Sequence, residues 1–208
     1  MTPRDGAEVP RPRLALQFPM ADDVTDATVL RDAPAAAARV APVRASAAFM
    51  VRHPARWIAL GFGSGLAPWA PGTVGTLWAW AAFLILDRWL GATGWAVMIG
   101  ASLVIGLWAC ARTARDLAVA DPSAIVWDEI VAFWIVLWLL MPASLLAQGS
   151  AFVLFRYFDA AKPGPVGWCD RRFKSARGWM QGVGIVADDL VAALCTLFVI
   201  SLSHFILR

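Results

Sequence analysis

Two acidic doublets, Asp128-Glu129 and Asp188-Asp189, and the series Arg156, Asp159, Lys162 between them carry the richest chemistry in this sequence. Each doublet lies where an apolar segment begins, and Asp159 lies inside another. Ionisable groups at membrane depth are costly and face one another or a water-filled cavity. Two acid pairs brought together would repel, which favours a cation between them. Oxygen donors without His or Cys point to a hard ion such as Mg²⁺ rather than zinc. The competing reading is that the doublets mark helix N-termini, where the macrodipole favours negative charge. Arg156, Asp159 and Lys162, spaced i, i+3, i+6, share a broad helix face. A guanidinium fork and an ammonium beside metal-holding carboxylates suit a phosphate group. An intrahelical Arg156–Asp159 salt bridge is the simpler alternative.

A glycine- and proline-rich stretch, Gly61-Phe62-Gly63-Ser64-Gly65 through Pro68, Pro71, Gly72, Thr73 and Gly75, opens the first apolar segment. Backbone N–H groups at such a helix start can hold an anion, with hydroxyls from Ser64 and Thr73. It lacks the P-loop lysine, and no strand precedes it. Gly182-Val183-Gly184 reads as a flexible turn before Asp188-Asp189. Asp116 reads as an i, i+4 partner of Arg112, Asp121 as a turn or cap, and Asp170 as paired within its basic neighbourhood. Cys110, Cys169 and Cys195 form no C-x-x-C pair and lack the C-x5-R phosphatase spacing. His53 and His204 cannot make a paired-His phosphatase site.

The elements that must position these groups are apolar. Of 208 residues, 60% are hydrophobic and only 16% charged, and mean hydropathy is +0.63. Soluble domains run nearer 45–50% apolar and ~25% charged. Five apolar segments follow one another: 72–86, 93–111, 130–147 (interrupted by Pro142), 150–161 and 190–207. No strand alternation accompanies them, so the expected fold is all-α, a polytopic membrane bundle of about four to five segments. Whether 72–86 and 150–161 cross fully is left open. The twelve Trp are expected at membrane interfaces. If all five segments cross, Arg112, Arg115, Arg171, Arg172, Lys174 and Arg177 share one side, which the positive-inside rule makes cytoplasmic. Residues 1–55 have scattered Arg, Pro and Ala without apolar period. They read as a disordered basic tail ahead of a membrane domain at 56–208, with Ala45–Leu60 as a candidate surface helix. The formal charge of +3, with no basic run interleaved with aromatics, argues against nucleic acid as a partner.

Four stretches in order, GFGSGLAPWAPGTVGTL at 61–77, IVWDE at 125–129, FRYFDAAKPGPVGWCD at 155–170 and GVGIVADD at 182–189, resemble the phosphatidylglycerophosphatase A family. The likeness covers about residues 60–195. It implies a Mg²⁺-dependent enzyme of the bacterial inner membrane, hydrolysing phosphatidylglycerophosphate to phosphatidylglycerol and phosphate, with its site facing the cytoplasm. Matched by motif, Asp128, Glu129, Asp188 and Asp189 would hold the metal. Asp159 joins them as a catalytic candidate. Arg156, Lys162, Ser64, Gly65, Gly72 and Thr73 would bind the substrate phosphate. Thr76, Gln181 and Ala193 depart from the family's commoner residues, and none is a charged motif position. Membrane lipids are the expected partners, and a homo-oligomer is compatible with the sequence. A phosphatase of another lipid or prenyl phosphate, or a transporter with a one-sided charged site, are the rival readings.

Overall fold

The computed structural model describes residues 43–119, 122–173 and 179–207. Every regular element among them is helical: α1 Ala47–Met50, α2 Pro54–Ala59, α3 Pro71–Leu86, α4 Ala92–Leu117, α5 Trp127–Leu140, α6 Leu145–Ala161, α7 Pro165–Phe173 and α8 Trp179–Ile206. A 3₁₀ turn at Gly61–Leu66 links α2 to α3. Two helices are long and apolar enough to cross a membrane, α4 and the Gly182–Ile206 portion of α8. The other apolar segments form shorter helices: α3 has 16 residues, α5 14 and α6 17. At ~1.5 Å per residue each falls short of a ~30 Å hydrocarbon core.

Local chemistry sets these boundaries. The segment expected to run from 130 to 147 stops at Leu140, just before Pro142. A new helix then starts at Ser144, whose Oγ accepts the Ala147 N–H at 3.2 Å, an ordinary N-cap. α6 ends where Lys162 takes a left-handed conformation, φ 46°, ahead of Pro163. The largest difference concerns α8. Gly182 and Gly184, read as a turn, lie inside the helix. They are sites of close packing. A side chain on Gly182 would meet the Leu107 carbonyl and Ala111 of α4, and one on Gly184 would meet Phe173 of α7.

Of the expected tail, residues 1–42 lie outside the described residues, and 43–55 belong to the packed unit. Phe49 and Met50 are buried with Leu60 and Leu117, and the Val43 N–H donates to the Leu117 carbonyl at 3.0 Å. The expected helix over Ala45–Leu60 is two short helices, because His53 breaks the run. Its Nδ1 accepts the Ala55 N–H at 3.1 Å, and Pro54 opens α2. Arg56 holds α2 to α4, donating from Nε and Nη2 to Asp116 Oδ2 at 3.1 and 3.0 Å. Asp116 also takes the expected Arg112 pair, at 3.2 Å.

α5 is the most enclosed helix and packs against α3, α4, α6 and α8. Trp95, Trp127 and Trp134 are buried around it, which departs from an interfacial role for these three. Their indole N–H groups donate to Asp87 Oδ1 (2.9 Å), the Ser102 carbonyl (3.1 Å) and the Ala79 carbonyl (2.9 Å). Trp127 and Trp134 tie α5 to α4 and α3, and Trp95 ties the start of α4 to the end of α3, each satisfying a donor that burial would otherwise strand.

Candidate active site

A cavity of about 540 Å³ opens at one end of the bundle. Its wall comes from the start of α3, residues 122–125, the first turn of α5, the end of α6, α7, and residues 184–189 of α8. Asp128, Glu129, Arg156, Asp159, Lys162, Asp170, Asp188 and Asp189 all face it. Six carboxylates therefore share one cavity with two cations. Asp128, Asp159, Asp188 and Asp189 are each under 10% exposed.

The cations act as cross-braces. Arg156 Nη1 donates to Glu129 Oε1 at 3.2 Å and also to Asp159 Oδ2. The intrahelical pair anticipated as an alternative exists, and the same guanidinium reaches α5 as well. Lys162 Nζ donates to Asp170 Oδ1 and Asp188 Oδ2, each at 2.5 Å. Asp170 is paired as expected, although its partner is Lys162 rather than a neighbouring arginine. Burial alone would lower the Lys162 pKa. The hydrogen bonds to Asp170 and Asp188 outweigh it and hold the ammonium above the ordinary lysine value.

Among the described residues, three carboxylate oxygens find no such partner. Asp128 Oδ1, Glu129 Oε2 and Asp189 Oδ2 are buried and accept no hydrogen bond. An orphaned anionic oxygen in a low-dielectric site is expensive. Their donor chemistry, oxygen only, suits a hard divalent cation. Among the described residues, no group of three or more His, Cys, Asp or Glu side chains is already gathered into a metal-holding set. The fit is therefore one of chemistry and shared location.

The doublets differ in position. Asp128 and Glu129 occupy the first turn of α5, so the helix-dipole reading applies to them. Asp188 and Asp189 lie well inside α8, which begins at Trp179. The dipole cannot account for them, and only their shared cavity does. Asp121, Lys174 and Arg177 lie outside the described residues.

The glycine stretch divides. Gly72 faces the cavity, as do Ala70 and Pro71. A Cβ on Gly72 would overlap the Glu129 carboxylate and approach Arg156 Nη1 to 3.1 Å. Ser64, Gly65 and Thr73, expected as phosphate ligands, are not among the cavity-lining residues. Ser64 Oγ donates instead to the Gly61 carbonyl at 2.8 Å. Gly65 is buried against the Ala124 carbonyl, and Gly75 against Val126. With the Val126 N–H donating to the Ala59 carbonyl at 3.0 Å, the loop grips residues 124–126 and so aims the first turn of α5. Phe62, at φ 54°, stacks on Trp78 and meets the edge of Trp127.

Sequence reasoning missed Phe173 and Ile185, which supply the apolar part of the wall. Ile185 was findable, since it lies three residues before Asp188 and so on the same helix face. Phe173 follows Arg171-Arg172 and carried no such signal.

The model of the family described as Phosphatidylglycerophosphatase A matches residues 57–204. The Escherichia coli Phosphatidylglycerophosphatase A is 37% identical over 68% of this chain and 78% of its own. The Haemophilus influenzae protein of the same name is 36% identical over 71% of this chain and 87% of its own. A Bacteroides thetaiotaomicron protein with the provisional name phosphatidylinositol-3-phosphatase is 34% identical over 72% of this chain and 93% of its own. No solved structure matches the chain. The four motifs, the cavity they line and these relatives agree: this chain is a phosphatase enzyme and belongs to the phosphatidylglycerophosphatase A family.

Proposed function

We propose that the enzyme hydrolyses phosphatidylglycerophosphate to phosphatidylglycerol and inorganic phosphate at this cavity, with Mg²⁺ as cofactor, in phospholipid biosynthesis. The observation that carries the reading is the imbalance of six carboxylates against two cations around one cavity. A phosphomonoester dianion entering that field would be repelled. At ~4 Å and an effective dielectric of ~20, each unit pair contributes about 4 kcal/mol. Added positive charge is therefore a condition of binding.

Asp128, Glu129, Asp188 and Asp189 would hold the metal, the first, second and fourth through their unpartnered oxygens. Mg²⁺ held there would supply positive charge against the phosphoryl oxygens and would lower the pKa of a water. Arg156 and Lys162 exchange carboxylate partners for substrate oxygens and orient the phosphoryl group. Asp159, left by Arg156, accepts a proton from the attacking water. The new P–O bond forms as the bond to the glycerol oxygen breaks; that oxygen takes a proton from solvent water to become the alcohol, and Asp159 returns its proton to solvent. Only the headgroup need enter, because the acyl chains stay in the bilayer. The charge gathered at one end of the bundle supports this reading over an ion path, which needs polar groups at several depths. The basic residues at the same end support a bacterial inner-membrane enzyme whose site faces the cytoplasm.

The name of the Bacteroides relative raises a second reading, a phosphoinositide headgroup. The test is phosphate release by the purified full-length protein from phosphatidylglycerophosphate, phosphatidic acid and phosphatidylinositol 3-phosphate, with and without Mg²⁺. Preference for the first with Mg²⁺ is expected. Equal release without added metal and in excess chelator defeats the metal assignment, and preference for the inositol lipid defeats the substrate assignment.

A further inference from the structure

We propose that the outward face of α7 is a docking face for anionic phospholipid headgroups, separate from the catalytic cavity. α7 presents different chemistry on different sides. Val166, Gly167 and Cys169 are buried, and the helix packs on α8. Asp170 and Phe173 face the cavity. Trp168, Arg171 and Arg172 (i, i+3, i+4) form the remaining face. Trp168 is 65% exposed, and both arginines are exposed. Arg56, Arg112, Arg156 and Lys162 each hold a carboxylate. Neither Arg171 nor Arg172 has an acidic partner among the described residues.

Charge complementarity names the occupant. Two guanidinium forks without an acidic partner among the described residues, beside an exposed indole and each one residue from the cavity wall, match a phosphate-rich surface with an apolar layer beneath it. Indoles settle at headgroup level, and basic side chains near an anionic leaflet each strengthen attachment roughly fivefold. The face would hold the cavity mouth at the depth where a lipid's phosphate lies. This inference rests on the membrane reading but on no catalytic assignment.

The experiment is native mass spectrometry of the full-length protein in detergent with equimolar phosphatidylserine and phosphatidylcholine. The wild type should retain phosphatidylserine in several-fold excess, and the excess should shrink as ionic strength rises. Arg171→Gln/Arg172→Gln should bring it close to one, with helicity by circular dichroism unchanged. Arg156→Gln, on the cavity, should leave it intact. No preference in the wild type, or one that salt does not reduce, overturns the proposal. So does loss of the preference in Arg156→Gln but not in the double variant, because the lipid then sits in the cavity. If the double variant does not fold, Arg172→Gln alone is read by the same criteria. Recovery of the protein in the soluble fraction would instead defeat the membrane reading itself.

Discussion

Arg156 on α6 reaches Glu129 on α5, Nη1 to Oε1 at 3.2 Å, while the same nitrogen also holds Asp159 one turn along its own helix. One guanidinium thus joins two helices whose residues lie 27 apart in the chain. A phosphate displacing these carboxylates, as proposed above, would take over donors already aimed into the cavity. Substrate binding would then release two acids.

Arg156→Lys tests that coupling. Lysine keeps the charge and loses the fork. The expected result is a drop in kcat/KM of roughly 10–100-fold, about 1.4–2.7 kcal/mol of transition-state stabilisation, with the thermal midpoint little changed. Phosphate-release kinetics check it. Wild-type turnover would show that a point charge suffices.

Asp128→Asn and Asp189→Asn each remove a buried carboxyl group with an unpartnered oxygen. Activity should fall by on the order of 100-fold or more, and the rise in melting temperature with Mg²⁺ that the proposed site predicts for the wild type should be lost. Stability without metal should hold or rise, since a crowded, unpartnered buried carboxyl group is replaced by a neutral amide. Differential scanning fluorimetry with a Mg²⁺ series reads both effects. Retained activity in both variants would remove these residues from the site.

The sequence made the charged cluster legible because burial makes charge conspicuous: Asp128, Glu129, Arg156, Asp159, Lys162, Asp188 and Asp189 all face one cavity. The glycines were harder to read. Gly182, Gly184 and Gly65 look like turn or anion-loop residues, yet they serve close packing against Leu107, Phe173 and Ala124. That role depends on a partner far along the chain, which local spacing does not reveal. The buried tryptophans have the same cause, since their hydrogen-bond partners Ser102 and Ala79 belong to other helices.

Lys162 gives a prediction about pH. Its folded pKa is raised, so its pairing energy is fully present below the unfolded lysine value of ~10.4 and is lost only as pH rises through the higher folded value. The stability lost in Lys162→Met should therefore be the same at pH 7 and pH 9. Thermal midpoints of both proteins at the two pH values check it. A loss that shrinks by half over that interval would mean that Lys162 titrates there.

Gly65→Ala and Gly72→Ala separate folding from chemistry. At Gly65 the added methyl meets the Ala124 backbone carbonyl, which cannot rotate aside. Overpacking of this kind costs about 1–3 kcal/mol, so the midpoint should fall while the catalytic groups stay intact. At Gly72 the methyl meets the Glu129 carboxylate, the mobile end of a side chain, beside Arg156. The carboxylate can move, so stability should change little. In moving, it disturbs both the Arg156 contact and the oxygen proposed for the metal. Gly72→Ala should thus lose more activity than Gly65→Ala and less stability, as measured by kcat at a temperature where both are folded and by thermal midpoint. The reverse order would mean that Gly72 shapes the fold and that the glycine loop, not the start of α3, lies against the substrate.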